Sequence, residues 1–213
     1  MALSANNKVV KLQPNGTSFR VDTLFGLNGY LGKADGTPGS GAGEFNSPFD
    51  VALSPDAQNL FVSDSNNHRI QEFDWTGKFK RSFGSFGTGL GQLNNPKGLT
   101  YGDSDVLHIL DSGNNRLVLA EAGDVSEVIG GPGTLFGELQ LAGNLTVGKR
   151  GIYIAEPGNN RVKKFDIGTG GYFDLNHFDP LWKASNEIGP SGLKSTKCNQ
   201  CCRTSARRKA IHC

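Results

Sequence analysis

Residues 60–69 read LFVSDSNNHR, and the same arrangement returns as LHILDSGNNR at 107–116 and as IYIAEPGNNR at 152–161. In each copy an apolar run ends at an acid, and an arginine stands five residues after that acid. Successive acids are 47 and 45 residues apart, and so are the arginines. Because the same spacing holds at several positions, the stretch belongs to an internal repeat of about 45 residues rather than to a chance turn.

The repeats open at Gly43, Gly91 and Gly137, and each contains four short strand candidates bounded by Gly, Asn, Asp or Pro. The first repeat predicts strands at 49–53, 60–64, 69–74 and 79–84. The other two predict strands at 98–101, 106–110, 116–120, 125–129, 144–147, 152–156, 161–166 and, less regularly, 171–175. Four strands per unit is the layout of a β-propeller blade, so the fold class is all-β, with four-stranded antiparallel blades in a partial or open ring.

Charge divides the chain into two parts of different character. Residues 1–189 carry 16 basic and 20 acidic side chains, whereas residues 190–213 carry six basic side chains, no acid and all four cysteines. The sequence contains no apolar stretch of about 20 residues, which excludes a membrane-spanning helix. It also begins without the apolar region of a signal peptide, so we predict a cytoplasmic protein.

The pattern G-x-x-x-x-P, an apolar strand, and then D-x-x-N-N-R resembles the NHL repeat. The resemblance covers residues 43–166 and extends in part to 6–26, where NNKVVKLQ and SFRVDTLFG resemble the last two strands of a preceding blade. There Leu3 takes the place of the acid. Propellers of the NHL-repeat family usually close with six blades, and this sequence contains about three full blades plus a half.

The strands of a blade are lettered a to d from the propeller axis outward. The predicted organisation is therefore a half blade, which contains only strands c and d and a long loop, followed by three blades and a tail. The half blade occupies 1–42, and the blades occupy 43–90, 91–136 and 137–178. Residues 179–213 are expected to form an irregular, disordered, basic tail that contains the cysteines. Since a half-ring exposes blade flanks and strand edges, we expect either a fragment of a larger propeller or self-association that completes the ring.

If strands a to d run outward from the axis, the b–c turns and the d–a loops share one end of the propeller, here called the loop face. The acid and the arginine of each repeat are predicted to pair across the b–c turn, and asparagines to form the bend. The predicted structural turn residues are Asp64, Asn66, Asn67, Asp111, Asn114, Asn115, Glu156, Asn159 and Asn160. In the d–a loops, Phe86, Leu90, Leu135 and Phe136 are expected to fill gaps between blades.

No catalytic motif accompanies the repeats, since the sequence contains no HExxH, GxSxG or EF-hand pattern. We therefore predict a non-catalytic protein-binding module or scaffold without cofactor or metal, whose expected ligand is a protein. Its candidate binding residues, all on or near the loop face, are His68, Arg69, Lys97, Arg116 and Arg161.

Two alternatives follow from the resemblance. Some tripartite-motif proteins hold single-stranded RNA on NHL propellers, and the basic candidates on the loop face suit that role, although residues 1–189 are net acidic. Peptidyl-hydroxyglycine amidating lyase also resembles NHL propellers and uses axial metals. The a strands of this chain offer Asp50, Thr100, Asn144 and Thr146 for such a metal site, without a histidine.

Overall fold

The structure is a computed structural model that describes residues 1–102, 105–121, 123–135, 137–149, 151–165, 167–168 and 171–172. Within them the chain forms a series of antiparallel sheets connected by short turns. The predicted tail at 179–213 and the end of the strand expected at 171–175 lie outside the described residues.

The chain begins with a small sheet, here called the N-terminal sheet. Its strands are β1 (Ala2–Leu3), β2 (Lys8–Val10) and β5 (Tyr30–Leu31), in the order β1-β2-β5. Between β2 and β5 the chain forms a separate hairpin of β3 (Leu12–Asn15) and β4 (Ser18–Val21).

The N-terminal sheet differs from the expected half blade in its outer strand. The segment SFRV does not pair with β2 but folds back on LQPN, because Gly16, with φ +64°, allows a two-residue connection between Asn15 and Ser18. The outer position is taken by β5, which lies inside the predicted long loop and pairs Tyr30 with Val10.

Three sheets follow. The strands of the first two lie at the predicted positions, whereas the third sheet has three strands among the described residues instead of the predicted four. The first blade contains β6 (Pro48–Leu53), β7 (Asn59–Asp64), β8 (Arg69–Asp74) and β9 (Phe79–Phe83). The second blade contains β10 (Pro96–Tyr101), β11 (Val106–Asp111), β12 (Arg116–Glu121) and β13 (Asp124–Ile129). The third contains β14 (Asn144–Gly148), β15 (Gly151–Glu156) and β16 (Arg161–Phe165), followed by the separate pair β17 (Ile167–Gly168) and β18 (Gly171–Tyr172).

In the first and second blades each strand pairs with the next one in sequence, as in a meander. Neighbouring sheets bring their first strands together, since β10 lies beside both β6 and β14. Gly98 permits this approach, because a Cβ at that position would come within 3.0 Å of the Cα of Asn144. The sheets thus form an open series of propeller blades, which confirms the predicted fold class.

The apolar core lies between successive blades. Leu110, Leu117 and Leu119 of the second blade form a buried cluster with Ile152 and Ile154 of the third. The alternate residues of the same strands, such as Ile109 and Val118, form a cluster with the first blade. Because both faces of a middle blade are buried, β11 reads as an almost continuous apolar run and all six of its residues are buried.

Candidate binding face

The b–c turns share one backbone conformation. Each is a short 3₁₀ turn followed by a single residue in the left-handed region, a conformation that Asn and His adopt more readily than most residues. The left-handed residues are Asn7 (φ +50°), His68 (+55°), Asn115 (+52°) and Asn160 (+49°). In the first blade the left-handed residue is His68, because the pair Asn66–Asn67 lies one position closer to its acid than Asn114–Asn115 does.

A buried carboxylate organises the turn of each of the three blades, as the second blade illustrates. Asp111 has no exposed surface. Its Oδ1 accepts the backbone N–H of Asn94 at 2.6 Å, and its Oδ2 accepts Asn114 Nδ2 and Arg116 Nε, both at 2.7 Å. Equivalent bonds surround the other two acids, Asp64 (from Asn46, Asn67 and Arg69) and Glu156 (from Gln140, Asn159 and Arg161).

Each of the three arginines binds the d–a loop that leads into its own blade from the preceding one. Arg116 Nη1 donates to the carbonyl of Thr88 at 2.5 Å, and Nη2 donates to the carbonyls of Gly89 and Gln92 at 3.1 and 2.9 Å. Arg69 donates in the same way to three loop carbonyls, and Arg161 Nη1 to that of Thr134. Their side chains are only 15, 11 and 23% exposed for Arg69, Arg116 and Arg161. These mostly buried guanidinium groups therefore hold the d–a loops in place through hydrogen bonds.

The other two candidate residues lie beside aromatic rings. Lys97 places its Nζ 5.5 Å from the ring centre of Phe49, at the start of the neighbouring inner strand. His68 accepts the backbone N–H of Asn95 on Nδ1, and its ring centre is 4.9 Å from that of Phe86. The structure therefore assigns local contacts to the five candidates.

Paired hydrogen bonds join the first three of these turns to the next blade. At the junction of the second and third blades Asn115 Oδ1 accepts the backbone N–H of Leu141, and Ser112 Oγ donates to the carbonyl of Ala142. The earlier junctions use Asn7 with Ser47, Ser4 with Pro48, His68 with Asn95, and Ser65 with Pro96. The turn that carries the predicted structural residues is thus also the contact between blades.

The loop face carries exposed apolar side chains, and the prediction that they fill gaps between blades is wrong. Phe86, Leu90 and Leu135, expected to fill gaps between blades, are 68, 71 and 68% exposed. Leu141, whose backbone bonds to Asn115, is 62% exposed on the same face. Phe136 lies outside the described residues. The many glycines around these residues are the sequence signal that could have indicated a surface loop.

The alternative of an amidating-lyase-like enzyme would place a metal at the inner strands. There Asp50 Oδ2 accepts the backbone N–H of Leu99 at 3.0 Å, which links the first two blades. Among the described residues no three His, Cys, Asp or Glu side chains are grouped in a way that could hold a metal ion.

None of the helical segments among the described residues is long and apolar enough to cross a bilayer.

Known sequences share the repeat. The family model of the NHL repeat matches residues 45–73. The chain is 45% identical over 65 residues to RING finger protein nhl-1 of Caenorhabditis elegans, and 49% identical over 55 residues to Protein brain tumor of Drosophila melanogaster. These matches cover 30 and 25% of this chain but only 6 and 5% of the relatives, so the chain corresponds to a small part of either protein.

The overall arrangement of the sheets also occurs in a known structure. A catalytically inactive virginiamycin B lyase from Staphylococcus aureus superposes with a TM-score of 0.52 at 17% identity, covering 79% of this chain and 47% of the lyase. At that level of identity the likeness concerns the fold alone. Together with the sequence matches, the sheets and turns show that the chain contains an NHL repeat at residues 45–73 and is built from β-propeller blades.

Proposed function

We propose that the chain is a non-catalytic protein-binding module that contacts a partner protein through its loop face. One observation carries the proposal: Phe86, Leu90, Leu135 and Leu141 are each more than 60% exposed on that face. Large apolar side chains that project from well-supported loops are typical anchors of protein interfaces.

The charged groups of the loop face bond to other groups of the same chain, which favours a largely apolar interface with the partner. Arg69 and Arg116 direct their guanidinium groups at the carbonyls of the face itself. Glu44 and Glu138 accept backbone N–H groups within their own d–a loops. Because these charges are occupied within the chain, we expect binding to depend weakly on salt.

Single-stranded RNA requires a different surface, with cations free to contact phosphates and aromatic rings free to stack. The pair of His68 and Phe86 supplies rings. Lys97, however, lies over Phe49, and the arginines bind loop carbonyls. The geometry therefore favours a protein over RNA as the ligand.

The test compares proteins captured by the unmodified chain and by the triple variant Phe86→Ser, Leu90→Ser, Leu135→Ser, with and without ribonuclease, by quantitative mass spectrometry. A control variant, Leu24→Ser, removes a side chain that is 87% exposed in the N-terminal region. We expect a partner that the triple variant loses, that the control retains, and that binds directly when purified.

The proposal is wrong if direct binding of every purified partner survives the triple substitution. It is also wrong if ribonuclease abolishes capture and a labelled oligouridine binds with an affinity that falls steeply with salt, since that result identifies RNA as the ligand.

A further inference from the structure

The β3–β4 hairpin is fixed at its base and open at its tip. At the base, Asp22 donates its backbone N–H to the carbonyl of Lys11 at 2.9 Å, and its carboxylate bonds the Lys11 ammonium at 3.0 Å. At the tip, Gly16 has φ +64°, and a Cβ there would meet no atom within 4 Å. Asn15, the turn and all of β4 are exposed. Water therefore reaches the turn.

This tip contains an Asn-Gly pair, Asn15–Gly16, and the chain contains one other, Asn28–Gly29. In such a pair the backbone nitrogen of the glycine can lose its proton and attack Cγ of the asparagine, because glycine has no side chain to hinder the approach. The N–Cγ bond forms, the Cγ–Nδ2 bond breaks, and ammonia leaves a cyclic imide. Water then opens the ring at either carbonyl, which gives aspartate or isoaspartate.

The two pairs differ in what holds the glycine nitrogen. Gly29 is buried, and its N–H donates to the carbonyl of Phe25 at 2.9 Å. Gly16, by contrast, donates its N–H to no acceptor within the described residues, and the exposed side-chain amide of Asn15 makes no hydrogen bond there either. Attack by the Gly29 nitrogen must first break a hydrogen bond within the chain, whereas attack by the Gly16 nitrogen breaks none.

Ser18 acts on the same peptide group. Its Oγ donates to the carbonyl of Asn15 at 2.9 Å. That carbonyl and the N–H of Gly16 belong to one resonant peptide unit, so the negative charge left when the nitrogen loses its proton is shared with the oxygen that Ser18 bonds. A hydrogen bond to the charged form of a group favours that form. Ser18 therefore makes the Gly16 nitrogen easier to deprotonate.

We propose that Asn15 is a site of intramolecular deamidation, in which the Gly16 nitrogen attacks the Asn15 side chain and Ser18 is a positioning residue. Water is the co-reactant, and ammonia is the leaving group. The product carries a new negative charge at the tip of the hairpin, and isoaspartate adds a methylene to the backbone of the turn. Because β3 and β4 pair with each other and with no other described strand, we expect the blades to keep their stability.

The test follows both Asn-Gly pairs in the same sample. The purified chain is kept at mildly alkaline pH, and peptide mapping by mass spectrometry measures the fractions of Asn15 and Asn28 that become aspartate or isoaspartate. A second sample in concentrated urea removes the hydrogen bond of Gly29. We expect Asn15 to react roughly tenfold or more faster than Asn28 in the folded chain, and the two residues to react at comparable rates in urea.

Two variants test the role of Ser18. In the folded chain Ser18→Ala should slow the reaction of Asn15 several-fold, whereas Ser18→Thr, which keeps a hydroxyl group, should restore most of the rate. In urea the unmodified chain and both variants should react alike, because the hydrogen bond to the Asn15 carbonyl is lost there. Circular dichroism confirms that both variants fold.

The proposal is overturned if Asn15 reacts no faster than Asn28 in the folded chain. It is also overturned if Asn28 stays slower by the same factor in urea, since the folded structure is then not the cause of the difference. An unchanged rate in the folded Ser18→Ala variant removes Ser18 from the reaction. Deamidation is measured without a partner and away from the loop face, so this proposal and the proposed function fail separately.

Discussion

The backbone N–H of Asn95 donates to Nδ1 of His68 at 3.0 Å, and this bond joins the first blade to the second. Both residues have left-handed backbone conformations, with φ of +55° for His68 and +50° for Asn95. At the junctions on either side, Asn7 and Asn115 make the same bond with a side-chain oxygen. An imidazole nitrogen therefore replaces an amide oxygen at one junction of a repeated set.

The first prediction concerns His68. We expect His68→Ala to lower the free energy of unfolding by about 1 kcal/mol more than His68→Asn does, because alanine leaves the N–H of Asn95 without its acceptor and tolerates the left-handed region less well. Chemical denaturation of both variants at neutral pH measures the difference.

Asn115→Ala is the matched control, since Asn115 occupies the same position one junction later. It should destabilise the chain to a similar extent as His68→Ala. Equal stability of the His68→Ala and His68→Asn variants contradicts the role of this bond.

The strands and the positions of the turns could be predicted from the sequence because both depend on local patterns. The repeated acid and arginine indicated the turn between β11 and β12, and short apolar runs bounded by Gly, Asn, Asp or Pro indicated the strands. The outer strand of the N-terminal sheet could not be predicted, because Gly16 allows a local hairpin that competes with pairing to Lys8–Val10. Tyr30–Leu31 then provides the pairing from within a loop.

The surface of the candidate site was harder to predict than its framework. The sequence shows that Arg116 stands near a turn, but the carbonyls of Thr88 and Gly89 that occupy its guanidinium group become neighbours only through the fold. Likewise, an apolar residue such as Leu90 reads as core until the structure shows it 71% exposed. Residue type alone does not distinguish an exposed apolar side chain from one that packs in the core.

The second prediction concerns the buried ion pair of Asp111 and Arg116. We expect Arg116→Ala to lower the free energy of unfolding by about 3 kcal/mol, because it leaves a fully buried carboxylate without its charged partner and removes three bonds to the d–a loop. Arg116→Lys should lower the free energy of unfolding almost as much, since one ammonium group cannot reproduce the planar set of donors. Urea denaturation measures both variants.

Lys11→Ala provides the comparison for a pair whose cation is largely exposed. Lys11 bonds Asp22 at 3.0 Å, and its side chain is 41% exposed although that of Asp22 is buried, so solvent screens the ammonium group and Lys11→Ala should cost less than Arg116→Ala. If Arg116→Ala costs no more than Lys11→Ala, the arginine does not support the loop, and its assignment to the framework is wrong.

The third prediction concerns His108, which lies in β11 and has no exposed surface. Burial lowers the pKa of His108 to about 4, against the hydrogen bonding of the ring to backbone carbonyls, which raises it. In the unfolded chain a histidine has a pKa of about 6.5. Between these values the unfolded chain binds a proton that the folded chain does not, so stability is full above pH 6.5 and falls as the pH drops toward 4.

We expect this loss to approach roughly 3 kcal/mol at pH 4, at about 1.4 kcal/mol for each unit of pKa difference. His108→Phe should abolish it, because phenylalanine does not titrate and Phe61 fills the equivalent place in the first blade. Urea denaturation of both chains between pH 7.5 and 4.5 isolates the contribution as the difference of two curves, in which the acids common to both cancel. If the two stability curves run parallel with pH, His108 takes up a proton in the folded chain as readily as in the unfolded one. Its surroundings between the second and third blades would then admit water.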